Sequence, residues 1–228
     1  LVLEGARLVF DALNSSYEVE TFLITESANE KYFDASVQMQ RKSKNSYFIS
    51  DTLSQKISET KNSQGVFAVC KMKNENISLK TDQKYIALDN LQDPGNLGTV
   101  IRTAEALGIS SVIVGGGCDV FNPKVLRASM GSVLRLDVFE CQSLAPVLQK
   151  AKSLGIKTYA TSPDSSAKKI NETQFPKSSL CVIGNEANGV SDEVMNICDE
   201  TVTIPMLGRA ESLNAHVAGA IVMWEMLR

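Results

Sequence analysis

The sequence predicts an α/β chain built on a parallel sheet, and three observations carry that expectation. Short apolar runs alternate with amphipathic stretches of about 10–15 residues over most of the chain. From residue 85 onward apolar strands alternate with helices of about 10–15 residues, as a parallel sheet covered on both faces requires. One polar segment without periodicity, "KNENISLKTDQK" at 73–84, divides a short first series from a longer second one. The expected organisation is a small α/β domain at 1–76, a linker at 77–84 and a larger α/β domain at 85–228.

Taken in order, "EGARLVFDALN" reads as a helix, "VETFLIT" as a strand, "NEKYFDASVQMQRK" as one helix and "SYFIS" as a strand. Helix "DTLSQKIS" and strand "GVFAVCKM" complete the first domain. The second series opens with strand "YIALDN", helix "NLGTVIRTAEALG" and strand "SVIVGG". A helix near "PKVLRASMG" leads to strand "LRLDVFE", helix "SLAPVLQKAKSLG" and strand "IKTYATS". After a polar loop at 163–178 come strand "SLCVIG", helix "VSDEVMNICD", strand "TVTIP" and helix "SLNAHVAGAIVMWEML". In parallel sheets ligands gather at the carboxyl ends of strands, so the residues following each strand matter most.

Composition narrows the function classes. The net charge of −3, from 23 basic and 26 acidic side chains, gives no bulk signal for nucleic-acid binding, so any such role must rest on local patches. The densest are "RKSK" (Arg41, Lys42, Lys44), the pair Lys71 and Lys73, and a looser group of Lys124, Arg127 and Arg135. Each can also be read as a solvated face. Five scattered cysteines without a CxxC pair point to free thiols in a reducing, cytoplasmic setting, and a single histidine leaves little for a metal site. No apolar run approaches the ~18 residues of a membrane span, and the start lacks the features of a signal peptide.

Three strand-end loops carry polar groups. In "NLQDPGNLGTVIR" the Pro94-Gly95 pair forces a turn, and Asn96 is the expected N-cap of the helix behind it. Leu97, Ile101 and Ala104 share the face that packs inward, which leaves Arg102 well off it, free to pair with Glu105 at i+3 or to meet a ligand. In "VIGNEANGVSDE" Gly184 lets a ligand approach the backbone, and Glu186 can accept hydrogen bonds from a ligand or another loop. In "IPMLGRAESLNAHVAGA" Ser212 is a candidate cap, whereas Asn214 is expected too far inside the helix to cap it. Neither a P-loop nor a G-x-G-x-x-G fingerprint is present, which disfavours a nicotinamide or nucleotide-hydrolysing enzyme and leaves it a remote alternative.

The set "DPGNLGTVIR", "CVIGNEANGVSDE" and "IPMLGRAESLNAHVA" closely resembles the three motifs of the SpoU/TrmH family, the RNA 2′-O-ribose methyltransferases of the SPOUT class. "NPKVLRASMGSVLRLDV" is similar to that family's segment between its first two motifs, and together the matches span 85–228. The opening "LEGARLVFDAL" resembles, more loosely, the ribosomal-protein-like substrate-binding module that many rRNA-directed members carry. The resemblance implies a C-terminal trefoil knot, a homodimer, and S-adenosyl-L-methionine as methyl donor, with neither metal nor membrane involved. It further implies that Gly184, Ile204, Leu213, Met206 and Thr161 line the cofactor. Arg102, Asn96, Glu186, Ser212 and Asn214 match the family's catalytic positions. His216 stands where members often carry a small hydroxyl residue and reads as a tolerated change.

The implied reaction is methylation of a ribose 2′-hydroxyl, in 23S-type rRNA first. A tRNA substrate, or a non-catalytic RNA-binding ribosome-assembly factor, are the alternatives. A guanidinium stays protonated at working pH, so Arg102 is expected to clamp the phosphate beside the target ribose, helped by the helix N-terminus, rather than to act as general base. Arg41, Lys42, Lys44, Lys124, Arg127 and Arg135 form the expected RNA-binding stripe.

Overall fold

Alternating periodicity becomes two separate sheets. The computed structural model describes residues 1–72 and 76–228, so Lys73 of the expected basic pair lies outside the described residues. The chain divides into two compact units, 1–74 and 75–228.

In the first unit, β1 (Val2–Glu4), α1 (Ala6–Asp11), β2 (Val19–Thr25), α2 (Glu26–Lys31) and α3 (Phe33–Lys42) are followed by β3 (Asn45–Ile49), α4 (Asp51–Ile57) and β4 (Val66–Cys70). The sheet order is β1-β4-β2-β3, with only β2 and β3 parallel. Strand β1, three residues long, is too short to show a period and was not anticipated. The single helix expected at 29–42 is two helices, because Thr25 caps an earlier start at Glu26 and Tyr32 leaves helical geometry at φ −121°, ψ 36°.

The second unit runs β5 (Lys84–Asp89), α5 (Pro94–Leu107), β6 (Ser111–Gly115), α6 (Pro123–Ser129), β7 (Asp137–Cys141), α7 (Ala145–Ser153) and β8 (Lys157–Thr161). It continues through β9 (Lys168–Lys169), β10 (Ser179–Ile183), α8 (Asp192–Ile197), β11 (Glu200–Thr203) and α9 (Ala215–Leu227). Seven strands form one parallel sheet in the order β7-β6-β5-β10-β8-β11-β9. Two-residue β9, inside the expected polar loop, gave no sequence signal. The strand expected from 134 begins at Asp137, since Ser132–Leu134 form a 3-10 turn. The expected linker 77–84 contributes Leu79 to the core of this unit.

Helix α5 buries Leu97, Val100, Ile101 and Ala104 completely. It meets α6 at glycine distance: a methyl group on Gly98 would lie 2.5 Å from Ala128 Cβ and 2.6 Å from the Val125 carbonyl oxygen. Among the described residues no helix is long and apolar enough to cross a membrane. Because every strand of the sheet points the same way, the loops after β5, β10 and β11 emerge on one edge. That edge is where the site forms.

Candidate active site

Asp93, not Asn96, caps α5. Its Oδ1 accepts from the Asn96 backbone N–H at 2.8 Å, and Pro94 follows at the first helical position. Asp-Pro at a helix start is a recognisable capping signature, so the cap expected at Asn96 is corrected to Asp93. The correction matters chemically. A carboxylate already closes this N-terminus, so the helix end does not supply the expected attraction for phosphate. The cap also frees the Asn96 side chain, which is 93% buried, for the site.

That side chain joins two other loops. Asn96 Nδ2 donates to Glu186 Oε1 at 2.9 Å, and Asn96 Oδ1 lies 2.9 Å from Nδ1 of His216. Glu186 also accepts from the backbone N–H groups of Gln92 (3.4 Å) and Asp93 (3.3 Å), so it holds another loop, as its sequence context allowed. Burial works to raise its carboxyl pKa, but these hydrogen bonds outweigh it and hold the group below the usual carboxylate range. The neighbouring Asn185 Nδ2 donates to the Asn90 carbonyl at 2.8 Å, and Ser191 donates through both N–H and Oγ to Asp89. Thus the loop after β10 is stitched to the loop after β5 at several points.

Asn214 is the N-cap of α9, accepting the His216 N–H at 3.0 Å. The expectation that it lay too deep to cap is corrected: the helix begins at Ala215 rather than Ser212, and residues 204–214 form an irregular, non-helical segment. Ser212 is exposed at the rim.

The loops after β8, β10 and β11 line a cleft of about 490 Å³, and the loop after β5 is joined to its edge through Glu186. Thr161, Gly184, Ile204, Met206 and Leu213, the five residues expected around a cofactor, all line it, with Glu186 and Ser212. The volume suits a small molecule, and the lining pairs apolar side chains with backbone of the 184–190 turn. A nucleoside carrying a methionine chain fits that chemistry.

Arg102 is exposed and, among the described residues, has no hydrogen-bond or ion-pair partner. Glu105, its sequence-level alternative, is occupied elsewhere: it accepts from Arg135 Nε at 3.2 Å and from Ser132 Oγ at 3.1 Å. Those contacts, Arg135 foremost, also lower the Glu105 pKa.

The expected RNA-binding stripe fares unevenly. Lys42 is a correction: its Nζ donates to the carbonyls of Ala12, Leu13 and Ser15 at 2.5–2.9 Å, closing a 3-10 turn, and burial there lowers its pKa. Lys44 pairs with Glu18 and Arg135 with Glu105. Arg41, Lys124 and Arg127 are exposed.

Glu186 gives a pH-dependent test. Its folded pKa lies below the ordinary carboxylate value of the unfolded chain, so its stabilisation is complete above that ordinary value and vanishes as pH falls through the folded one. Denaturant titrations of the wild type and Glu186→Gln are expected to differ by a constant amount above pH ~5.5 and to converge in acid. A difference unchanged down to pH ~3 would mean that the charge plays no part.

The chain is similar to known proteins along nearly its whole length. The profile of the SpoU rRNA methylase family matches residues 83–224, and that of the MRM3-like substrate-binding domain matches residues 1–68. The chain is 34% identical over 227 residues to 23S rRNA (guanosine(2553)-2′-O)-methyltransferase RlmP of Bacillus subtilis, covering 99% of this chain and 87% of that protein. The SpoU methyltransferase AviRb of Streptomyces viridochromogenes, solved with AdoMet, superposes with TM-score 0.86 at 27% identity over 100% of this chain and 89% of that one. The AdoMet-bound rRNA methyltransferase of Sinorhizobium meliloti gives TM-score 0.86 at 26% identity, covering 99% and 85%.

Proposed function

The chain belongs to the SpoU rRNA methylase family, and from that premise we propose how its residues divide the work of 2′-O-methylation in 23S-type rRNA. It is an S-adenosylmethionine-dependent RNA methyltransferase. The single observation that carries the residue assignments is the cleft lined by the loops after β8, β10 and β11, whose Glu186 is tied to the start of α5 through Asn96.

Thr161, Gly184, Ile204, Met206 and Leu213 would hold the cofactor, Gly184 through its backbone. When bound, S-adenosylmethionine supplies an electrophilic methyl whose transfer to the 2′-oxygen neutralises a sulfonium. The protein's part is alignment, charge complementarity and an outlet for one proton. Arg102, with no internal counter-charge among the described residues, would clamp the phosphate next to the target ribose and stabilise the developing alkoxide. Asn96 and Ser212 would orient the ribose, Glu186 would hold Asn96 and the turn at 92–93, and Asn214 would fix the start of α9. Arg41, Lys124 and Arg127 are the basic side chains we retain for RNA phosphates. Free thiols at all five cysteines support a cytoplasmic location.

Two features support a homodimer. Helix α9 is apolar all round, and Val217 (38%) and Trp224 (62%), one face apart by seven residues, remain exposed. Light scattering that returned a 24.8-kDa particle would end this reading. The trefoil knot is supported by α9 packing against both β10 and the 3-10 turn Ile170–Glu172. A crystal trace keeping α9 outside the 162–178 connection would remove it.

The test of function is transfer of labelled methyl groups to 23S-type rRNA followed by mapping of 2′-O-methyl positions. A single ribose methylated only when the protein is present is expected. Labelling confined to tRNA, or to bases, would overturn the rRNA ribose assignment.

A further inference from the structure

The hydrogen bond between His216 and Asn96 determines more than its length suggests. Glu186 is ionised over the working pH range, since its carboxyl is held below the usual carboxylate values, so it can only accept. The Asn96 amide nitrogen must therefore face Glu186, at 2.9 Å, which turns the amide oxygen to His216. A carbonyl oxygen can only accept, so the imidazole must donate through Nδ1. The acceptor nitrogen of the neutral ring is then Nε2. One chain of contacts fixes the amide orientation and the histidine tautomer together.

His216 is itself placed by the neighbouring cap, for Asn214 Oδ1 accepts its backbone N–H at 3.0 Å. A continuous path thus runs from the start of α9 through His216 and Asn96 to Glu186 and on to the N–H groups of Gln92 and Asp93. It joins the loop after β5 to the cleft-lining loops after β10 and β11.

We propose that His216 is a positioning residue for methyl transfer: by holding the Asn96 amide oxygen, it presents the second amide N–H of Asn96, a donor and never an acceptor, to the substrate. This rests on the reading of the cleft as a methyl-transfer site. A donor at that place suits a ribose oxygen, whose lone pairs are available whether or not its proton has left. Loss of the imidazole would let the amide tilt away from Glu186, which weakens alignment in the reacting complex more than binding of either substrate.

The sequence contains one histidine, so both predictions can be read cleanly. In uniformly 15N-labelled protein at a pH where the ring is neutral, long-range proton–nitrogen spectra are expected to show Nδ1 protonated and Nε2 bare. Asn96→Ala should shift the ring toward the Nε2-protonated form. Kinetically, His216→Ala should lower kcat about tenfold with KM for S-adenosylmethionine little changed. His216→Asn, whose amide nitrogen can occupy the Nδ1 position, should recover most of the rate; His216→Gln, which reaches the Nε2 position, should not. A wild-type ring protonated at Nε2, or equal kcat for His216→Ala and wild type, overturns the proposal. If the wild type transfers no methyl to RNA while the ring still shows protonated Nδ1, the functional reading has failed and the lock has not.

Discussion

Replacing Arg102 with alanine is expected to reduce methyl transfer about 10²–10³-fold while leaving S-adenosylmethionine binding unchanged, because removal of one preorganised charge at a reacting oxygen costs that much. The helix neighbour of Arg102, Glu105, is held by Arg135 and Ser132, so the guanidinium is exposed and no carboxylate among the described residues neutralises it. A long cation kept unpaired costs nothing in water and is available for an RNA phosphate. Arg102→Lys keeps the charge but loses the two-pronged donor geometry, and should recover only a minor share of the rate. Isothermal titration with S-adenosylmethionine, beside single-turnover methylation, separates the two effects. A lysine variant as fast as the wild type would show that geometry is irrelevant.

The second large effect is expected at Gly184. A methyl group there would sit 2.1 Å from the Gly189 carbonyl carbon and 2.2 Å from the Val190 nitrogen, distances that real atoms do not share. Backbone, not a flexible side chain, is in the way. The turn closes on itself through paired hydrogen bonds between Asn185 and Gly189, at 2.9 and 3.0 Å, so it cannot yield locally. Gly184→Ala should therefore displace the whole 184–190 wall of the cleft. We expect S-adenosylmethionine affinity to fall at least about 100-fold, with thermal stability reduced by a few degrees. Ala187→Gly, at an exposed position of the same turn, serves as the control for loop flexibility. Unaltered cofactor affinity in Gly184→Ala would remove this turn from the cofactor site.

Much of this was legible in the sequence. The parallel sheet and its strands could be read because β5, β6 and β10 are apolar at nearly every position, and the α5 face of Leu97, Ile101 and Ala104 followed from a 3.6-residue period. The five cleft residues were accessible through motif resemblance. Spacing alone could not have joined Thr161 to Leu213, because only the tertiary fold brings them together. What escaped was local competition for hydrogen bonds. Asp93 and Asn96 are both good caps, and only Pro94 after Asp93, at the first helical position, separates them. Asn214 seemed interior only because the apolar run starts earlier than the helix does. His216 reads in sequence as a tolerated change, because its partner Asn96 lies 120 residues away. Lys42 looked like a surface cation until three carbonyls from another turn claimed it.

The strand order carries a consequence for how the chain is made. Strand β8 pairs only with β10 and β11, both of which follow it, while β5 waits for its second neighbour until residue 179 exists. A ribosome releasing this protein therefore extrudes a sheet with an open gap at its middle and apolar edges on either side. Such exposed edges favour aggregation until the missing strand inserts. The nascent polypeptide is thus most vulnerable late in translation, and chaperone protection counts most in that interval.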